Sequence, residues 1–251
     1  MIKQKIEFKS TLKRITLIFL CVILFSSCGL KSSKTIIRLQ KMEENVDSPT
    51  TIEELQESIK KYQDRVLDIQ LANAQIGIWY KILGTRYLDT KMYGEALKCF
   101  EEAIKYYPAN QNLFYYVGVC AGFMANASLD YNATGTTSTQ KYNYLKLSES
   151  AYLRAIELEN RYVRALYGLG VLYVFEFDDC AKAISYLETA LSVETRNTDI
   201  MFVLARAYYV EQNYDRAVEL YDKIIEVTKS AQKKSEAQAN KKIVLDAAYA
   251  N

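Results

Sequence analysis

From Gly77 onwards, apolar side chains recur three and four residues apart, the spacing that places them on one face of an α-helix. Tyr80, Leu83 and Tyr87 form such a stripe and predict a first helix. A second stripe of small and aromatic side chains follows: Ala96, Phe100 and Ala103. Related stripes begin near residues 111, 163 and 198. A period of about 34 residues predicts stacked pairs of antiparallel helices, and therefore an all-α fold.

The copy that begins at Gly77 carries eight characteristic residues in register: Tyr80, Leu83, Gly84, Tyr87, Ala96, Phe100, Ala103 and Pro108. This pattern resembles the tetratricopeptide repeat (TPR). The resemblance implies a TPR α-α superhelix of about four repeats with capping helices. Gly84 and Ala96 are expected to be small because the paired helices approach closely there, and Phe100 is expected to fill the space before the next hairpin.

The other copies are less regular. In the copy that starts at Val163 the second helix comes one residue late, so a longer turn is expected around Asp178. The copy that starts at Gln111 is split by a polar stretch over 126–141, which predicts an exposed inserted loop. The predicted repeats are 77–110, 111–162, 163–197 and 198–230.

Capping segments are predicted on both sides of these repeats. Thr51 and Glu54 have the spacing of a helix capping box. Leu55, Ile59 and Tyr62 follow the spacing of a second TPR helix, which predicts a separate N-terminal capping helix over residues 49–76. A C-terminal capping helix is predicted over residues 231–251.

The first 28 residues have the layout of an export signal. A basic start is followed by the apolar run 15–25, which is too short for a membrane-spanning helix of about 20 residues. Ser26, Ser27 and Cys28 then resemble the lipobox of bacterial lipoproteins, although Phe25 stands where Leu is usual. The predicted organisation is a signal peptide over 1–27, a lipidated tether over 28–48 and a TPR domain over 49–251.

The lipobox resemblance implies a protein anchored by lipid at Cys28 in the bacterial cell envelope and facing the periplasm. Gly29 is not the aspartate that retains lipoproteins in the inner membrane of some bacteria, which favours the outer membrane. The alternative is an ordinary cleaved signal in which Cys28 is incidental.

Composition argues against catalysis. The sequence has no histidine, and therefore lacks the most frequent general base and zinc ligand. Beyond the signal, 27 basic and 29 acidic residues leave no net positive charge for nucleic-acid binding. The later cysteines are widely spaced. Cys180 follows two acidic residues, and its thiol is a candidate for exposure to solvent. We expect no catalytic site, metal site or cofactor.

In a TPR superhelix the first helices line a concave groove, and the resemblance assigns nine residues of this chain to that surface. Six of them are aromatic and three are cationic: Lys81, Tyr115, Phe123, Arg164, Tyr167, Phe175, Phe202, Arg206 and Tyr209. Such a lining suits an apolar or aromatic protein segment, or an amphiphile with an anionic end. The alternative is that these aromatics pack within the stack or are covered by the C-terminal helix.

The favoured function is therefore a lipid-anchored scaffold that binds envelope proteins, with no affinity for nucleic acid. The alternative is an accessory lipoprotein of a periplasmic solute-transport system, which would bind a solute-binding protein or a small hydrophobic or acidic ligand. The partner, the oligomeric state and the role of the 126–141 insertion are left open.

Overall fold

A computed structural model describes residues 51–128 and 139–250. The predicted signal peptide 1–27, Cys28 and the tether 28–48 lie outside the described residues, as does most of the predicted inserted loop. The described residues form nine α-helices and contain no β-strand. The chain divides into two compact units, with the division after Val66.

The helices are numbered here in chain order. They are α1 (Ile52–Asp89), α2 (Tyr93–Tyr106), α3 (Gln111–Ala127), α4 (Thr139–Leu158), α5 (Val163–Phe175), α6 (Cys180–Val193), α7 (Thr198–Val210), α8 (Tyr214–Val227) and α9 (Ala231–Ala250). From the second half of α1 onwards, consecutive helices pair as hairpins within the predicted repeat limits. The prediction of stacked helix hairpins is confirmed.

Small residues let the paired helices approach, as expected. A Cβ atom at Gly84 would lie 2.9 Å from the ring of Phe100 on α2. At Gly170 of α5 it would lie 2.5 Å from the side chain of Leu187 on α6. Phe100 then stacks on Tyr116 of the next hairpin, with ring centroids 4.8 Å apart. The close approach within hairpins and the role of Phe100 between them are both confirmed.

The turns inside three hairpins depend on a left-handed backbone. Lys91, Asp178 and Gln212 have φ values of 61°, 51° and 57°. The turn between α5 and α6 runs from residue 176 to residue 179 and is one residue longer than the 90–92 turn. The extra residue of this turn therefore accounts for the late start of the second helix in this copy, as predicted.

The start of the first helix is confirmed, but its extent is not. The Glu54 backbone N–H donates to Thr51 Oγ1 at 3.2 Å, and the Thr51 N–H donates to Glu54 Oε2 at 3.1 Å, which completes the capping box. However, α1 continues without interruption to Asp89. The separate capping helix predicted over 49–76 is wrong, because the segment has no proline and no glycine between Ile52 and Gly77 that would end a helix.

The core lies between the layers of hairpins from α2 to α9. It is built of alanines that allow close packing and of larger apolar side chains such as Leu166, Leu169 and Met201, which are 2% exposed or less. Cys180 is 2% exposed, which corrects the expectation that it could reach solvent. Its place at the first position of α6 turns the thiol inward while the two preceding acids stay in the turn.

Among the helices in the part of the chain that is described, none is long and apolar enough to cross a membrane.

Candidate binding pocket in the C-terminal repeat

Four of the nine predicted groove residues meet in one pocket of about 300 Å³. Phe175 comes from the end of α5, and Phe202, Arg206 and Tyr209 come from successive turns of α7. Residues 202, 206 and 209 share a helix face because their spacings are four and three. The two first helices of neighbouring repeats therefore supply an aromatic wall of this pocket.

Arg206 is the cation of this wall. Its guanidinium lies over the ring of Phe175, with the carbon Cζ 5.2 Å from the ring centroid. The side chain is exposed, and no carboxylate in the described residues lies within 4 Å of the guanidinium. The aromatic contact holds the side chain in place while its N–H donors remain available to a ligand.

The opposite wall comes from α8 and α9. Tyr221 of α8 lies beneath Phe202, with ring centroids 6.1 Å apart. The C-terminal helix adds polar groups, Glu236 and Asn240, and an apolar pair, Ile243 and Val244. The C-terminal helix is thus a wall of the pocket and leaves space beside it, which answers the alternative that it covers these aromatics completely.

The pocket combines aromatic faces with polar and charged groups. Burial raises the pKa of the Tyr221 hydroxyl, opposed by the positive charge of Arg206. The hydroxyl therefore stays protonated at neutral pH and serves as a hydrogen-bond donor or acceptor. Aromatic faces beside one arginine and one carboxylate suit a ligand with an apolar body and a polar end.

A second predicted pair, Tyr115 and Arg164, lies between α3 and α5. The Arg164 guanidinium carbon is 5.9 Å from the Tyr115 ring centroid, and the edge of Tyr162 meets the same ring at a centroid distance of 5.9 Å. Tyr162 donates its hydroxyl hydrogen to Asn112 Oδ1 at 2.7 Å. Burial raises the pKa of Tyr162 to about 12, although Arg164 opposes this shift. These aromatic rings therefore mainly contact one another.

The last three predicted groove residues do not line the pocket. Tyr167 is half-buried against the larger core. Phe123 stacks on Tyr93 of α2, with centroids 4.4 Å apart. Lys81 is half-buried on α1. The nine residues therefore fall into separate groups along the stack.

Sequence reasoning missed the residues of the pocket that α9 contributes. The C-terminal helix carries no repeat signature, so the sequence offers no register from which to place Asn240 or Ile243 against α7. The sequence contains one weak signal: Glu236, Asn240 and Val244 are each four residues apart, which puts all three on one helix face. Among the described residues there is no cluster of three or more potential metal ligands.

Comparison with protein families finds the same repeat in two parts of the chain. Residues 78–110 and residues 174–239 each match a family model described as tetratricopeptide repeat. The chain therefore contains TPR repeats, and the first match begins one residue after Gly77. No curated protein sequence matches the chain.

Solved structures show the same fold. The TPR protein TTC0263 of Thermus thermophilus is 19% identical, with a TM-score of 0.53 over 76% of this chain and 94% of that one. YrrB, described as a TPR protein with an unusual peptide-binding site, is 21% identical, with a TM-score of 0.50 over 80% and 97%. MamA of Desulfovibrio magneticus RS-1 is 14% identical, with a TM-score of 0.52 over 68% and 94%. The predicted TPR α-α superhelix is confirmed, and at these identities the likeness concerns the fold alone.

Proposed function

We propose that this protein is a lipid-anchored scaffold of the bacterial cell envelope that binds a segment of a partner protein in the pocket between α5, α7, α8 and α9. The observation that carries the proposal is Arg206, which is held over Phe175 at the mouth of an aromatic pocket with no carboxylate of the described residues beside it. A preplaced cation against aromatic faces provides both orientation and apolar contact area.

The chemistry of the pocket indicates the kind of segment that it binds. An aromatic or large aliphatic side chain of the partner packs against Phe202 and Tyr209, and a neighbouring carboxylate pairs with Arg206. Glu236 on the opposite wall disfavours a ligand with several negative charges and accepts a backbone or side-chain N–H. The pocket volume of about 300 Å³ matches one or two side chains better than a folded domain.

We favour a scaffold over an enzyme because the pocket lining contains no histidine, cysteine or lysine and no pair of carboxylates. Its titratable groups are an arginine, two tyrosines and one glutamate. The accessory-transport alternative is an outcome of the test below.

The pocket is tested by crosslinking in cells followed by identification of the captured protein. Arg206→Ala and Phe202→Ala are each expected to reduce capture by about tenfold, equivalent to about 1.4 kcal/mol of binding free energy. Arg196→Ala is the matched control, because Arg196 is an exposed arginine in the turn before α7 and does not line the pocket. Tyr167→Ala tests whether the partner extends along the stack, and it should weaken capture to a smaller degree.

Peptides separate the protein partner from a small ligand. A peptide with an aromatic residue beside an aspartate should bind the natural chain more tightly than its asparagine counterpart, and Arg206→Ala should abolish that difference. If capture and peptide binding are the same in the natural chain and in both pocket variants, this pocket is not the binding surface. Capture of a solute receptor, or retention of an amphiphile during purification, would favour the transport alternative.

The anchor is a separate part of the proposal and is carried by the Ser26, Ser27 and Cys28 pattern after the apolar run. Acyl chains on Cys28 contribute about 0.8 kcal/mol for each buried CH₂ group, so two or three chains would hold the protein at a bilayer. Cys28→Ala should move the protein from the detergent phase to the aqueous phase on extraction. Retention of the variant in the detergent phase would place the anchor elsewhere.

A further inference from the structure

The first half of α1 presents a row of apolar side chains for which the described structure shows no partner. Leu55, Ile59, Val66 and Ile69 are 46%, 57%, 54% and 61% exposed. In proteins most of the stability of a helix comes from packing of its apolar face rather than from helix propensity. Apolar surface of this extent on one helix is typical of an interaction face.

The spacing of the row is that of a coiled coil. We call the row the α1 seam, and its members are Ile52, Leu55, Ile59, Tyr62, Val66, Ile69, Asn73 and Ile76. Successive members are alternately three and four residues apart, a period of 3.5 that is kept through three and a half heptads and about 37 Å of helix. A strict 3.5 period keeps one stripe facing a supercoiled partner helix, whereas an ordinary surface helix follows a period of 3.6.

The residue types indicate the number of strands. With Ile52 as position a, the a positions are Ile52, Ile59, Val66 and Asn73, and the d positions are Leu55, Tyr62, Ile69 and Ile76. Ile or Val at a with Leu at d favours two strands, whereas Ile at d as well, as at Ile69 and Ile76, shifts the preference towards three or four. A single asparagine at an a position is a known determinant of register and strand number. The number of strands therefore depends on Asn73.

Asn73 also selects the orientation of the two helices. In a parallel, in-register pair the two Asn73 side chains face each other, and each amide can donate to the other. An antiparallel pair, or a shift by one heptad, places each amide against an apolar side chain and leaves it without a partner. The seam is therefore self-complementary in one arrangement only.

The positions that flank the seam carry no acidic residue. Glutamine occupies the e positions at Gln56, Gln63 and Gln70, and the g positions are Ser58, Arg65 and Ala72. Two copies can therefore approach without repulsion between like charges in the positions that face each other across the seam. Arg65 lies over the ring of Tyr62, with its guanidinium carbon 5.4 Å from the centroid, and covers the edge of the seam.

We propose that this protein forms a parallel, in-register homodimer through the α1 seam, and that the partner of the exposed row is a second copy of this chain. The seam shares no residue with the pocket between α5 and α9. Dimerisation therefore presents two pockets on one assembly, so that a partner with two recognition segments binds more tightly than a partner with one. The parallel orientation brings both copies of residue 51 to the same end of the coiled coil.

Cysteine crosslinking of the full chain in the membranes of expressing cells tests the orientation. Ile52→Cys and Val66→Cys are a positions two heptads apart that leave Asn73 in place, and in a parallel dimer each cysteine faces its own copy within disulfide range. Mild oxidation should yield about tenfold more covalent dimer from each variant than from the unsubstituted chain, whose described cysteines are buried. Leu71→Cys is the control, since Leu71 lies on the opposite side of the helix from Ile69.

Charge substitutions test the seam itself. Ile69 and Leu71 are both 61% exposed, so Ile69→Asp and Leu71→Asp make the same chemical change on and off the seam. In the Val66→Cys background, Ile69→Asp should lower the dimer yield by about tenfold and Leu71→Asp should leave it unchanged. Helix content measured by circular dichroism confirms that both variants remain folded.

Three results would overturn the proposal. The first is that no covalent dimer forms at either seam position, as expected if another protein or the N-terminal segment of the same chain covers the seam. The second is a dimer at only one of the two positions, which indicates an antiparallel pair. The third is equal sensitivity to Ile69→Asp and Leu71→Asp.

Discussion

The ring of Tyr152 on α4 lies directly against the Cα atom of Gly118 on α3. A Cβ atom at Gly118 would be 2.5 Å from Tyr152 Cε1, closer than real Cβ contacts in proteins. The same ring meets Gly168 of the next hairpin, where a Cβ would lie 2.7 Å from Cζ. Tyr152 therefore fills a slot between two glycines and links two consecutive repeats, and it cannot move away from one glycine without approaching the other.

This relationship predicts opposite effects for two alanine substitutions in α3. Gly118→Ala should lower the free energy of unfolding by about 1–3 kcal/mol, because the new methyl group displaces the Tyr152 ring. Gly122→Ala is the control, since its Cβ would lie 3.7 Å from Ser148 Oγ. This variant should raise the free energy of unfolding by about 0.5–1 kcal/mol through helix propensity. Urea denaturation of both variants measures the difference, and equal effects would show that the slot is not rigid.

A second prediction concerns acid stability. Glu149 of α4 accepts hydrogen bonds from Lys146 Nζ at 2.7 Å and from the hydroxyl of Tyr173 on α5 at 2.8 Å. Partial burial acts to raise the pKa of Glu149, but these two hydrogen bonds and the positive charges of Lys146 and Lys182 together outweigh it, and the pKa lies below its ordinary value. The charged form therefore stabilises the fold above the unfolded-state pKa of about 4.3, and this contribution is lost as the pH falls through the lower folded-state pKa.

Glu149→Gln should accordingly cost about 1 kcal/mol at pH 7, since Gln can still accept from Tyr173 but loses the charge. The cost should shrink progressively below about pH 4, where the natural carboxylate becomes protonated. Glu157→Gln is the control, because Glu157 pairs with Arg154 with 64% of its side chain exposed. A cost for Glu149→Gln that does not change with pH would show that packing, not charge, is responsible.

The described cysteines should be inert in the folded protein. Burial raises the pKa of the Cys120 thiol to about 12, and burial also raises the pKa of Cys99 and Cys180. All three are buried, so very little thiolate is present at pH 8 and reagents have no access to it. Labelling with iodoacetamide, followed by mass spectrometry of each peptide, should modify them only after denaturation. Rapid labelling of Cys180 in the native protein would show that the start of α6 opens.

Substitutions at two neighbouring residues of α9 should have different effects on stability and on binding. Val244 is 2% exposed and Ile243 is 55% exposed, although both line the pocket. Val244→Ala should lower the free energy of unfolding by about 1–2 kcal/mol, and Ile243→Ala should change it by less than about 0.5 kcal/mol. Partner capture should weaken with Ile243→Ala because it removes apolar contact area from the pocket. Identical melting temperatures for the two variants would contradict the packing of α9 on α8.

The repeat architecture was determined by the sequence because its signals are local. The small residues at Gly84 and Gly170, the aromatic at Phe100 and the delayed start of α6 each specify a contact within one hairpin or with the next one. Such contacts join residues that are close in sequence, and their spacing directly shows which helix faces meet. The fold class and the longer turn near Asp178 follow from this information.

Tertiary structure decided the features that depend on packing between distant segments. No local signal ends a helix between residues 52 and 77, and only the folded chain shows that α1 is one continuous helix through this segment. The grouping of Phe175 and Arg206 with Asn240 depends on how α9 packs, and α9 carries no repeat signature that would set its register. The burial of Cys180 has a similar cause. Its two acidic neighbours lie in the turn before α6, but the direction of the Cys180 side chain is set by the packing of the surrounding hairpins.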